Sequence, residues 1–267
     1  MAMPGSARYR RASQPTTNSF AFTHPSVDGD GSARLQASAT PIAGTSLLAP
    51  FGVYRFGATP GWAMFAQNPF VVLGGGVGFN LFAAATGSGS FLHQTASSTP
   101  SSQIDNAALN GNPDAMVFVT SNWNPSGGSG VYNDHPIGVY TYADNNWYVQ
   151  TGDGSSLSNG AAFNVYAQNP SPNVFRLDPG TDGILSIPPG QAVEIPVDEI
   201  AVACAVVVFT PWASSNDGRN FDIYRRPNGR WAIYSPTGIA DGTRFNVMYS
   251  PRQIFECAGP MFRDSFE

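Results

Sequence analysis

Three histidines, four glutamates, two cysteines and five tryptophans are the residues of this chain best suited to catalysis, metal binding or ligand stacking. The histidines, His24, His93 and His135, lie far apart and in none of the close spacings that pair two imidazoles on one metal ion. Each reads as a turn or surface residue. The glutamates, Glu194, Glu199, Glu256 and Glu267, all fall in the last third of the chain. A glycosidase-like carboxylate pair would therefore have to be assembled there with aspartates, and solvation or turn roles are the simpler reading. Asp28-Gly29-Asp30-Gly31 has the opening of a calcium loop without its remaining ligands, and reads as an acidic turn. Gly74-Gly75-Gly76 precedes a strand rather than a helix, so it reads as a turn and not as a phosphate cradle. No Gly-x-Ser-x-Gly elbow is present. Cys204 and Cys257 fit either a disulfide, tying the C-terminal tail to a core strand, or two buried thiols. No cofactor, metal site or catalytic set is expected from these residues. Trp123 and Trp212 stand at strand ends beside loops, where an indole face can stack on a ligand, and are the expected ligand contacts.

The elements that must position these residues are strands. Twenty-nine glycines and 22 prolines divide the chain into short segments joined by turns, and the runs of strong helix formers that long helices need are missing. Charged residues make up 12 %, against roughly 25 % in ordinary soluble domains. All 13 basic residues are arginine, which excludes a P-loop lysine and a lysine Schiff base. The net charge of −5, with no basic stripe, argues against nucleic acid as partner. The longest apolar run, Ile200 to Phe209, is half of what a spanning helix needs and reads as a buried strand. The N-terminus lacks the apolar core of a signal peptide.

The strongest signal is a repeat. Gly-x-x-Phe-Asn recurs with its phenylalanine at Phe79, Phe163 and Phe245, at intervals of 84 and 82 residues. Upstream, Trp62, Trp147 and Trp231 each open a short strand, at intervals of 85 and 84. Before each tryptophan comes an alternating strand: Phe51-Gly52-Val53-Tyr54, Ile137-Gly138-Val139-Tyr140 and Phe221-Asp222-Ile223-Tyr224. These markers predict an all-β fold of three tandem modules of about 84 residues, either sandwiches in series or a pseudo-threefold arrangement, with the first copy degenerate in its front half. The expected divisions are a flexible arm over 1–19, a diverged repeat over 20–88, repeats over 89–171 and 172–251, and a tail over 252–267. Trp62, Trp147, Trp231 and the three phenylalanines are expected to be core, because a bulky residue held in one register of a repeated fold is most simply packing. Asn80, Asn164 and Asn246 are expected to bond a neighbouring backbone group across a strand end. By the same register, the equivalents of His135 are Ala49 and Arg219, neither of which suits a repeated metal site.

Asn112-Pro113-Asp114-Ala115, Phe118-Val119-Thr120, Asn122-Trp123-Asn124-Pro125, His135-Pro136-Ile137-Gly138-Val139, Trp147 and Ala162-Phe163-Asn164-Val165 resemble the motifs of a bacterial domain family of unknown function found as tandem copies in exported proteins. The resemblance covers roughly Phe91 to Ala167 and carries no catalytic residues. The last residues, Phe262-Arg263-Asp264-Ser265-Phe266-Glu267, are similar to the Phe-x-Asp-Gly-Phe-Glu tails of exported Gram-negative proteins, with Ser265 in the glycine position. Together these imply an extracellular or cell-surface location. The function expected is a non-enzymatic module binding glycan or a surface protein. A structural or assembly component is the alternative, and a hydrolase with its site in the third copy is a more distant one.

Overall fold

A computed structural model describes residues 6–10, 17–41, 46–47, 49–58, 61–73, 77–87, 89–179, 187–201, 205–213 and 218–251. Cys204, Cys257, Glu256, Glu267, Gly74–Gly76 and the tail over 252–267 lie outside these residues. The regular elements of the described chain are almost all strands, and a 3-10 turn lies at Asp198–Ile200.

The strands fall into three successive sets of six. The first comprises β1 (Ser6–Arg10), β2 (Ser19–Phe22), β3 (Arg34–Pro41), β4 (Phe51–Phe56), β5 (Gly61–Ala66) and β6 (Val77–Ala84). The second is β7 (Ser90–Gln94), β8 (Ser101–Gln103), β9 (Met116–Asn122), β10 (Ile137–Thr141), β11 (Trp147–Thr151) and β12 (Ala162–Gln168). The third is β13 (Val174–Leu177), β14 (Ala192–Glu194), β15 (Val206–Ala213), β16 (Asp222–Arg225), β17 (Trp231–Tyr234) and β18 (Thr243–Ser250). Each set pairs in the same way. The first, sixth and third strands form an inner sheet, and the second, fifth and fourth an outer one. Ser6–Arg10, within the arm expected to be flexible, is the first strand of its set, running antiparallel to β6 as β7 does to β12 and β13 to β18. The Ser- and Ala-rich front half of the first copy likewise forms β2 and β3 with the pairings of its counterparts. Backbone pairing there is retained with small side chains, which is why the sequence match is poor.

Each unit is a sandwich whose core joins its two sheets. Trp62 of β5 packs with Phe79 of β6, Trp147 with Phe163, and Trp231 with Phe245, each group in a separate cluster and all six side chains fully buried. The period-two alternation of the strands sends these residues inward. The other face of the inner sheets meets its counterparts in a fourth cluster containing Phe82, Phe118, Val208 and Met248.

Two rings of hydrogen bonds relate the units by pseudo-threefold symmetry. Asn80 Nδ2 donates to the Val207 carbonyl at 2.9 Å, Asn164 Nδ2 to the Leu35 carbonyl at 3.2 Å, and Asn246 Nδ2 to the Val117 carbonyl at 2.9 Å. The acceptors are equivalent residues of β15, β3 and β9. The asparagines therefore bond backbone carbonyls of the next unit round the axis. In the second ring the Ala37 amide donates to Thr120 Oγ1 at 3.0 Å, Val119 to Thr210 Oγ1 at 3.1 Å, and Phe209 to Ser38 Oγ at 2.9 Å.

The units also meet along seams between parallel strands. β4 lies beside β9 with Gly52 opposite Ser121, and β10 beside β15, merging inner and outer sheets into two six-stranded sheets. A glycine is required at each contact: a Cβ at Gly52 would sit 2.6 Å from the Ser121 carbonyl oxygen, and one at Gly138 would sit 2.9 Å from that of Pro211. The equivalent residue at the third seam is Asp222. There β16 runs alongside β3 without strand pairing among the described residues. The Asp222 carboxylate accepts a hydrogen bond from the Leu47 amide at 3.1 Å, so the β3–β4 connection is joined to β16 where the other seams have direct pairing. Only 2 % exposed, and with Oδ1 unpartnered, this carboxyl is pushed up by desolvation to about 7.

Two outcomes are expected. Asn164→Ala strands the Leu35 carbonyl in the interior and should lower unfolding free energy in urea by about 1–3 kcal/mol, with Asn80→Ala and Asn246→Ala comparable. Because the folded carboxyl of Asp222 has the higher pKa, the folded state holds a proton that the unfolded chain has released between about pH 4 and 7. Its contribution to stability therefore declines as pH rises through that window and is flat above it, a fall of order 4 kcal/mol. Asp222→Asn should remove this slope from a pH series of denaturation midpoints.

Candidate functional site

Trp123 follows directly after β9, at the first seam. Its amide donates to the Val53 carbonyl at 3.0 Å, extending the parallel pairing of β9 with β4. The chain then loops out and returns, with the Val131 amide donating to the Trp123 carbonyl at 3.0 Å. A Cβ at Gly130 would overlap that same carbonyl, so the return of the loop depends on a glycine. The indole sits among Tyr54 (6.0 Å between ring centroids), Tyr132 (5.6 Å) and Phe65 (6.5 Å), mostly edge to face.

Beside it opens a cleft of about 550 Å³, lined by Tyr54, Arg55, Phe56, Trp123, Asn124 and the loop through Gly127 and Gly128. Phe56 is 41 % exposed, whereas Asn124 is buried. Asn124 fastens the cleft wall: its Oδ1 accepts from the Arg55 amide at 2.8 Å, and its Nδ2 donates to the carbonyls of Arg55 at 2.8 Å and Gly128 at 3.0 Å. Arg55 Nη1 donates to the Gly31 carbonyl at 3.1 Å. The cleft thus offers aromatic rings and hydrogen-bonding groups on a braced wall.

Trp212 occupies a different environment. By register it corresponds to Asn122, and Trp123 corresponds to Ala213, so the two tryptophans are not equivalent and do not meet. The Arg176 guanidinium lies 4.2 Å from the Trp212 ring centroid and that of Arg244 4.9 Å. Burial, followed by the like charge of Arg244, lowers the pKa of Arg176. Arg244 in turn pairs with Asp178 at 2.6 Å.

The histidines are dispersed. His24 Nδ1 accepts from the Ser26 amide at 3.1 Å, and burial lowers its pKa. His93 stacks on Phe163 and bonds Ser102 Oγ at 2.9 Å, again with its pKa lowered by burial. His135 Nδ1 lies 2.8 Å from Asp153 Oδ2. No group of three or more potential metal ligands occurs among the described residues. Asp30 accepts from the Ser32 amide and hydroxyl, closing the acidic turn on itself. Glu194 pairs with Arg226 at 2.8 Å and Arg230 at 3.7 Å, and Asp198 pairs with Arg230 at 2.9 Å.

Sequence reasoning missed a second cavity. His135, Arg219 and Ala49, equivalent by register, converge on the pseudo-threefold axis at a small pocket of about 80 Å³. Its walls are again equivalent residues: Ala37, Val119 and Phe209, then Ser38, Thr120 and Thr210. The repeat register held the signal for it, since residues equivalent in three units round one axis must face one another. Nothing in the linear sequence placed Tyr54, Phe56 and Tyr132 around Trp123, because the seam that joins them links two units.

Residues 52–167 match the family described as Domain of unknown function (DUF7452). No curated protein and no solved structure matches the chain. The matched span starts further back than the expected Phe91, at Gly52, and so includes both sides of the first seam. Several residues of the matched span act at the seams. Asn122 Nδ2 donates to Asn164 Oδ1 at 2.9 Å, Trp123 and Asn124 bind β4, and Gly138 lies at the second seam.

Asn124→Ala removes three hydrogen bonds and should cost about 2–3 kcal/mol of stability. Faster amide hydrogen exchange over 54–57 and 124–128, with the third unit unchanged, would show that the loss is local to the cleft.

Proposed function

We propose that this protein is a non-enzymatic module that binds glycan at the cell surface, through the cleft beside Trp123. The observation that carries the reading is the exposed Phe56 ring on the end of β4, in a cleft that Trp123 and Tyr54 complete. Pyranose rings present apolar C–H faces that stack on such rings, while their hydroxyl edges take hydrogen bonds from neighbouring polar groups. A rigid sheet holding the rings limits the ordering entropy lost on binding. The resemblance of the C-terminal residues to the tails of exported proteins supports an extracellular site of action. A second reading, a role in assembly with other proteins, is favoured by Phe70, 92 % exposed on the connection between β5 and β6, with the half-exposed Val72 close by.

A glycan array probed with the purified chain tests the first reading. Binding should be reproducible, and Trp123→Ala and Phe56→Ala should each weaken it at least about tenfold with the circular dichroism spectrum unchanged. Binding at full wild-type strength after both substitutions would sink the cleft as the contact site. A blank array with protein partners recovered by surface crosslinking would favour assembly.

A further inference from the structure

Phe56 has a counterpart. Register places Tyr54 and Phe56 of the first unit opposite the same outer-sheet positions as Tyr140 and Tyr142 of the second. The position two residues beyond the conserved-register tyrosine is 41 % exposed as Phe56 and 48 % exposed as Tyr142. Equivalent core aromatics are explained by packing. At these two positions packing uses only part of the ring: Phe56 covers Gly61 and Tyr142 lies against Tyr140 and Tyr148, and close to half of each residue stays open to solvent.

Around Tyr142 the surface is organised. Its ring lies edge-on to Tyr140 at 4.3 Å and to Tyr148 at 4.6 Å between centroids. The Tyr148 hydroxyl donates to Asp144 Oδ2 at 2.9 Å, fixing the third ring. Asp144 also accepts from the Asn146 amide at 3.0 Å and its side chain at 3.1 Å, and these bonds hold its carboxyl below the usual range. The turn that brings them together places Asn145 at φ 59°, a conformation asparagine tolerates better than most residues. In the third unit Arg226 takes the equivalent position and pairs with Glu194 at 2.8 Å, so no exposed ring is present there.

We infer that the exposed Tyr142 ring, with the half-buried Tyr148 beside it and the buried Tyr140 beneath, is a second carbohydrate platform, and that the chain cross-links neutral polysaccharide through it and the Phe56 cleft. The inference rests on the glycan-binding reading of that cleft. Rings beside a fixed carboxylate suit a neutral pyranose, whose hydroxyls donate to Asp144; an acidic sugar would be repelled by it. The geometry also sets the valency. The first residues of β4 and β10, Phe51 and Ile137, line the axial pocket, whereas Phe56 ends β4 and Tyr142 follows β10, so the two platforms stand a strand's length away from the axis on different units. A single short oligosaccharide cannot span both, whereas two chains of a polymer are bridged.

Soluble neutral polysaccharides, a mixed-linkage β-glucan, a galactomannan and a xyloglucan, serve as probes in two readouts. Affinity electrophoresis reports binding and turbidity reports bridging. The wild-type chain should retard in and cloud at least one of them. Phe56→Ala and Tyr142→Ala, both surface substitutions, should each still retard while losing at least about tenfold in turbidity, and the double variant should lose both. Tyr142→Ala with wild-type turbidity would overturn the second platform and leave the Trp123 cleft standing. Phe56→Ala with wild-type behaviour would overturn cross-linking and the cleft reading together, as would the absence of binding to all three probes.

Discussion

Buried hydrogen bonds that pass between units are the constraint on which the rest of this structure depends. Asn80, Asn164 and Asn246 are fully buried, and each places its amide against a backbone carbonyl of the next unit round the axis. The hydroxyls of Ser38, Thr120 and Thr210 do the same for backbone amides of β15, β3 and β9 respectively. The inner-sheet strands β3, β9 and β15 approach the axis with backbone groups that their own sheets leave unpaired. A buried carbonyl or amide without a partner is costly, and an apolar contact does not replace it. The register of each unit against the others is thereby fixed, because a shift of one residue would turn the asparagines to the opposite face.

The seams are a second layer of the same arrangement. Gly52 and Gly138 allow an outer strand of one unit to lie against an inner strand of the next at backbone contact distance. At the third seam a carboxylate stands where the glycine would be, and the β3–β4 connection fills the gap through Leu47. The symmetry is therefore close in its polar rings and broken at its edge. The break falls where the chain must return from its third unit to its first, across 175 residues of sequence between Leu47 and Asp222.

Much of the core could be read from the sequence. Trp62, Trp147, Trp231, Phe79, Phe163 and Phe245 repeat in register and are among the largest fully buried side chains of their units. Periodicity reports such residues well, because a strand face and a sandwich core are local consequences of alternation. What the sequence concealed lies between units. The asparagines were legible as hydrogen-bonding residues, but their acceptors lie 127 to 129 residues away, beyond any local pattern. Ser6–Arg10 has little apolar content to mark it as a strand, and it is the equivalence to β7 and β13 that gives it a place. Trp123 and Trp212 looked alike because each follows a similar strand, yet they differ by one position in register. That single residue puts one indole in an open aromatic cleft and the other beneath two guanidinium groups.

The cyclic order of the polar rings carries a consequence for how such a chain could arise. Each unit holds a donor asparagine and an acceptor carbonyl for its ring contacts, so every unit is complementary to a copy of itself. Three separate, identical copies would satisfy the same bonds with no covalent link between them. The present chain is then equivalent to a homotrimer fused into one polypeptide. Fusion frees the three copies from identity, and an aspartate at one seam or an arginine in place of an exposed ring is the kind of divergence that an assembly of identical subunits cannot accommodate.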